Sequence, residues 1–125
     1  MNQKLRNIRQ ILLALTLLVA VSGFSSCEKY TYNPPAVDPV FPWSFQADIQ
    51  PIFNSKCVQC HGGVTSPNLS EGSSYQALTR GNFVTAPGES ARLYTKMNSA
   101  DHISRSSETD RLKVLYWINQ GALNN

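Results

Sequence analysis

The segment Cys57-Val58-Gln59-Cys60-His61 holds the residues whose types and spacing could do chemistry. Two thiols separated by two residues can reach the two vinyl groups on one edge of a porphyrin as thioethers, and the adjacent imidazole then lies under the iron. C-x-x-C-H is the pattern of covalent haem attachment. The tether raises the effective concentration of the imidazole at the metal, so the group is held even by a domain with too little core to enclose it. His61 is expected to bind through neutral Nε2, and its Nδ1–H then needs an acceptor that fixes the ring. Two other chemistries use such cysteines. A thioredoxin-like redox pair sits beside a βαβ pattern, and a zinc site needs four ligands. The sequence has no βαβ pattern, and beyond the motif it offers only Cys27 and His102 as further thiol or imidazole ligands.

Helices have to position these residues. Ser44 can cap a short helix with Phe45, Ile49, Ile52 and Phe53 on one face, and Pro51 predicts a kink or a restart. Asn54-Ser55-Lys56 delivers the chain to Cys57, and Gly62-Gly63 ends regular structure after His61. A second helix is expected over Ser73 to Thr79 with Tyr75 and Leu78 inward. A third opens near Ser90 and carries Leu93, Tyr94 and Met97, after an irregular loop containing Pro87-Gly88. Ser107 with Asp110 three residues on predicts a capped last helix, with Leu112, Leu115, Trp117 and Ile118 on its apolar face before Gly121. No strand alternation, hairpin signal or repeat competes, so the expected domain is all-α. It runs over residues 43–125, about 80 residues, a size at which a single core is marginal without a staple such as a bound haem.

The chain ahead of that domain reads differently. Lys4, Arg6 and Arg9 form a basic head, and Ile11 to Val21 is an apolar run broken only by Thr16, the pattern of an export signal. Small residues then lead through Ser22-Gly23-Phe24-Ser25-Ser26 to Cys27, which resembles the lipobox of bacterial lipoproteins, with Phe24 where that family usually has Leu. The resemblance implies removal of residues 1–26 and lipidation of Cys27 as the first mature residue, hence export and anchorage to a bacterial membrane, facing the periplasm. Without the signal, 11 minus 3 basic residues balance 8 acidic ones. The remaining chain has no clustered Lys/Arg face, which speaks against nucleic acid as a partner. Residues 27–42 carry Pro34, Pro35, Pro39 and Pro42 and read either as an extended tether or as an arm packed on the domain through Tyr30, Tyr32 and Phe41. In polyproline-like conformation the fifteen residues after Cys27 would reach up to about 45 Å.

Within residues 43–125 the chain resembles the small mono-haem class I cytochrome c domains. Ile49-Gln50-Pro51-Ile52-Phe53 is similar to their first helix, Ser66-Pro67-Asn68-Leu69 to their P-N-L loop, Pro87-Gly88 with Ser90 and Leu93-Tyr94 to their distal approach, and Trp117-Ile118-x-x-Gly121-Ala122 to their closing helix. The resemblance implies a compact helical fold around one covalent haem c on Cys57 and Cys60. In it His61 is the proximal ligand, the Pro67 carbonyl accepts from His61, and Leu69 packs on the ring. The family's distal Met-Pro pair is missing: the eighth residue after Tyr94 is His102. His102 is therefore favoured as the sixth ligand over Met97, with Lys96 a weaker candidate and an open site the remaining alternative. Filled axial positions imply a carrier of single electrons between redox partner proteins, met through transient contacts, with no small-molecule substrate and no enzymatic turnover. The alternatives are a haem-based sensor and a haem-containing docking subunit of a larger redox enzyme.

Overall fold

Ser44 opens the first element of the domain, because its hydroxyl accepts from Ala47 N at 3.2 Å while Asp48 accepts from Ser44 N at 3.0 Å. The turn it starts, Phe45–Ile49, is a π-helical one with a wide loop closed from Ile49 N to Ser44 O. That wide turn passes into helix α2, Gln50–Lys56, with Pro51 in the first turn, where its missing N–H costs nothing. The restart expected at Pro51 is thus a change of helical pitch. These coordinates come from a computed structural model, which describes residues 2–22, 33 and 36–125 and, of 14–22, only the backbone. The chain divides into two compact units, Met1–Asn33 and Pro34–Asn125.

In the first unit a helix, α1, spans Asn2–Ser22 and covers the basic head and the apolar run. Among the described residues no helix is long and apolar enough to cross a membrane. Cys27, the segment before it and residues 28–32, 34 and 35 of the Pro-rich stretch lie outside the described residues.

In the second unit, α2 is followed by α3, Val58–His61, by α4, Ser74–Arg80, by α5, Arg92–Met97, and by α6, Glu108–Asn119. Short 3₁₀ turns over Gly88–Ser90 and Ile103–Arg105 precede α5 and α6 respectively. Among the described residues there is no strand, so the domain is all-α. The capping box at α6 is complete: Ser107 Oγ accepts from Asp110 N at 3.1 Å and Asp110 accepts from Ser107 N at 3.0 Å. Helix α5 begins two residues after Ser90, because the intervening 3₁₀ turn takes up Gly88–Ser90.

The core gathers where the first turn meets the last helix. Phe45 and Trp117 are both almost wholly buried, their ring centroids 5.2 Å apart, and Tyr75 meets Phe45 edge-on at 5.2 Å. The two polar tips find backbone acceptors, Trp117 Nε1 at Leu123 O and Tyr75 OH at Ala122 O, which folds the tail after α6 back onto the core. The buried stripe of α6 is Val114, Leu115, Trp117 and Ile118, whereas Leu112 is half-buried. The stripe expected from the sequence included Leu112 and omitted Val114; the seat of Trp117 against Phe45 turns the helix so that Val114 points inward.

Residues 38–43 are packed on this domain. Gln120 Nε2 donates to Pro39 O and Phe41 O, Gln120 Oε1 accepts from Trp43 N, Trp43 Nε1 donates to Asp38 O, and Lys113 Nζ lies over the Trp43 ring. The described end of the Pro-rich stretch is therefore an arm.

Gly88 is seated against α6. Its N–H donates to Asn119 Oδ1 at 2.7 Å, and a Cβ there would come within 2.8 Å of Leu115 Cδ1 and 2.9 Å of Leu115 O. Gly88→Ala is expected to destabilise the domain by about 1–3 kcal/mol through overpacking against backbone that cannot move aside, read as a lower midpoint in denaturant at unchanged slope.

Candidate cofactor site

The end of α2 and the short α3 present the motif. Cys57 N donates to Phe53 O at 2.9 Å, and His61 N closes the next turn on Cys57 O at 2.9 Å, so both cysteines and the histidine leave successive helical turns at one end of the domain. The His61 imidazole is fixed from behind, since Nδ1 lies 3.1 Å from Pro67 O and 3.3 Å from Thr65 O. Carbonyl oxygens only accept, so the proton sits on Nδ1 and Nε2 keeps its lone pair for a ligand. Leu69 N donates to His61 O at 2.7 Å and holds the 62–69 loop under the ring.

These residues edge a cavity of about 860 Å³, within the roughly 300–1,000 Å³ typical of cofactor and small-molecule sites. Cys57, Cys60, His61, Pro67 and Leu69 line one wall, and Met97 and His102 line the other. Phe53, Phe83 and Leu93 make the rest of it largely apolar, and Lys56, Arg92 and Arg105 stand on the rim. The structure thus brings to one space the seven residues singled out in the sequence for this site, Cys57, Cys60, His61, Pro67, Leu69, Met97 and His102; Cys27, expected to be lipidated, lies outside the described residues.

Across the cavity, the His61 and His102 rings have centroids 6.3 Å apart and planes inclined by 45°. A metal–imidazole bond of about 2.0–2.1 Å, plus about 1.1 Å from nitrogen to ring centre, puts two imidazoles ligating one ion from opposite sides about 6.2–6.4 Å apart. The observed separation falls in that interval. No protein-family model, no curated protein and no solved structure matches the chain.

Met97 lies at the end of α5, is 7 % exposed and belongs to the core cluster while also lining the cavity. Lys96 is engaged elsewhere, its ammonium 2.6 Å from Asp101 Oδ2. Burial, reinforced by the Asp110 carboxylate, pushes the Cys57 thiol up to about 11. Such a thiol stays protonated at neutral pH, the opposite of the lowered pKa of nucleophilic and redox-active cysteines. Among the described residues no three His, Cys, Asp or Glu side chains gather as a metal cluster, so these thiols and His61 do not converge in the manner of zinc ligands.

Two contributors escape a reading of the sequence. Asp101 is one: Lys96 Nζ and Ser99 Oγ donate to it at 2.6 and 2.5 Å, and with the nearby His102 they hold its carboxyl well below the usual carboxylate range. Its place beside His102 follows from a tight turn, with His102 N on Ser99 O at 2.9 Å, that has no strong local signature. The other is Gln50, 3 % exposed on the inward face of α2. Its Nε2 donates to Leu69 O at 3.1 Å and to Asn54 Oδ1, and its Oε1 accepts from Ser74 Oγ. A polar residue on the inward face of an amphipathic helix was the available signal.

Gln50→Ala leaves the buried Leu69 carbonyl and Ser74 hydroxyl without partners, and each such group costs about 1–3 kcal/mol. A loss of at least about 2 kcal/mol in equilibrium unfolding is expected, with Gln50→Glu less damaging than Ala if the Ser74 contact alone carries the effect.

Proposed function

We propose that this chain is an exported, lipid-anchored c-type cytochrome of the class I helical kind, passing single electrons between redox partner proteins outside the cytoplasm. The observation that carries the reading is the 6.3 Å spacing of the His61 and His102 rings across a cavity that also receives Cys57 and Cys60.

The residues present fit a haem c. Cys57 and Cys60 line the cavity and their thiols would form the two thioethers, and the C-x-x-C-H order sets His61 directly after the second of them. Phe53, Leu69, Phe83 and Leu93 offer apolar surface for a flat macrocycle, and Lys56, Arg92 and Arg105 offer positive charge at the rim for its two carboxylates. A haem held there would supply a one-electron ferric–ferrous couple.

The chain's own groups set its character. Pro67 O and Thr65 O fix the proximal ring and its tautomer through Nδ1. As a second protein ligand beside His61, His102 would close the site to oxygen and peroxide, and a second imidazole in place of a thioether would favour ferric iron and a lower reduction potential. Met97 fills the wall beside it, the adaptable packing role for which its unbranched side chain is suited. The reading of the leading segment rests on Lys4, Arg6, Arg9 and the apolar run into Cys27. The formally balanced remainder suits brief contacts with redox proteins over small interfaces.

Produced in a host with haem-attachment machinery, the protein is expected to keep its pigment in acidified organic solvent and to show low-spin ferric and ferrous spectra without added ligand. His102→Ala should become high-spin and bind carbon monoxide, while Met97→Ala should stay low-spin and lose about 2–5 kcal/mol of stability. Pigment that leaves with the solvent overturns the haem reading, and a His102→Ala spectrum identical to the parent's overturns the ligand assignment. Cys27→Ser should abolish incorporation of radiolabelled palmitate; a label that persists removes the anchor.

A further inference from the structure

We infer that Asp101 is the positioning carboxylate of the distal histidine and, with Lys96, sets how strongly His102 donates to the metal. The inference rests on the haem reading above and concerns this chain's own residues.

The two imidazoles of the site are backed by different chemistry. His61 Nδ1 faces two neutral carbonyls, those of Pro67 and Thr65. His102 Nδ1 faces a carboxylate, with Asp101 Oδ2 at 3.1 Å. That nitrogen is buried and has no hydrogen-bond partner among the described residues. A ring that gives Nε2 to a metal must carry its proton on Nδ1, and a buried N–H requires an acceptor. The Asp101 carboxylate is within reach of a small rotation of the imidazole.

Asp101 is held for this role. Lys96 Nζ and Ser99 Oγ fix its two oxygens at 2.6 and 2.5 Å, and Ser99 O accepts from the backbone N–H of both His102 and Ile103. Lys96 stands on the last turn of α5, so this set of contacts ties the distal loop to the helix that forms the cavity wall. A hydrogen bond to a carboxylate is about twice as strong as one to a carbonyl. It shifts electron density toward Nε2 and stabilises the ferric state. The Lys96 ammonium draws on the same carboxylate and opposes that shift.

The test uses the haem-loaded full chain and variants Asp101→Asn, Asp101→Glu and Lys96→Met. Asp101→Asn should remain low-spin, yet its preference for ferric iron should weaken about tenfold, which is a rise in potential of about 59 mV for a one-electron couple. Exogenous imidazole should displace His102 about tenfold faster, the lower end of what outer-shell partners contribute to metal affinity. Asp101→Glu should recover part of both effects, and Lys96→Met should move the potential downward. A remote surface charge would also shift the potential, but that shift vanishes at high salt and leaves the displacement rate unchanged. Either that pattern, or an Asp101→Asn protein matching the parent in both readouts, overturns the inference while leaving the haem reading intact. A parent without covalent pigment, or a His102→Ala protein with the parent's spectrum, overturns the haem reading or its ligand and this inference with it.

Discussion

The packing of Phe45 against Trp117 is the contact on which the rest of the domain depends. Phe45 begins the turn that runs straight into α2 and the cysteines, and Trp117 lies on α6, the helix that follows the loop over 98–107. Joining them fixes the start of one segment to the end of the other, and what lies between has to close around the remaining space. The edge-on contact of Tyr75 and the return of residues 122–125 onto the 44–46 backbone add to the same junction, with Ser44 Oγ and Gln46 N both donating to Asn125 O. Aromatic pairs of this kind contribute about 0.5–1.5 kcal/mol beyond the area they bury. Their larger effect here is geometric.

The domain is consequently packed unevenly. Phe45, Ile49, Leu78, Val114 and Ile118 form the close-packed part, while α2, α5 and the 98–107 loop edge the cavity. Phe53, Leu69, Leu93 and Met97 belong to both regions, with one flank in the core and another on the cavity wall. A chain of this size buries a modest fraction of its surface, so its core is small. A bound prosthetic group lying against these side chains would add its own apolar faces to that core. Under the haem reading, folding and cofactor attachment are linked for that reason.

The readable parts of the sequence were those governed by local rules. Ser44 and the Ser107/Asp110 pair announce their helices through short-range hydrogen bonds, and both caps are formed. The Cys57-Cys60-His61 group is picked out by spacing alone, and the three residues line one cavity. What escaped was set by tertiary contact. The π-helical pitch of 45–49, the inward rotation of Val114 in place of Leu112, and the approach of Asp101 to His102 each depend on a partner far away or on a turn without diagnostic residues. The distal wall falls between these cases: His102 could be counted along the chain from Tyr94, but its distance from His61 follows from the fold.

The arm over residues 38–43 bears on how far the domain can roam. With Gln120 gripping the carbonyls of Pro39 and Phe41, ten residues, 28–37, separate Cys27 from the gripped segment, against the fifteen up to Pro42. At full stretch ten residues cover at most about 35 Å. Under the lipid-anchored reading this leash confines the domain to a shallow layer above the bilayer. Its encounters would then be governed by the local density of neighbours in that layer and by very little of the bulk solution.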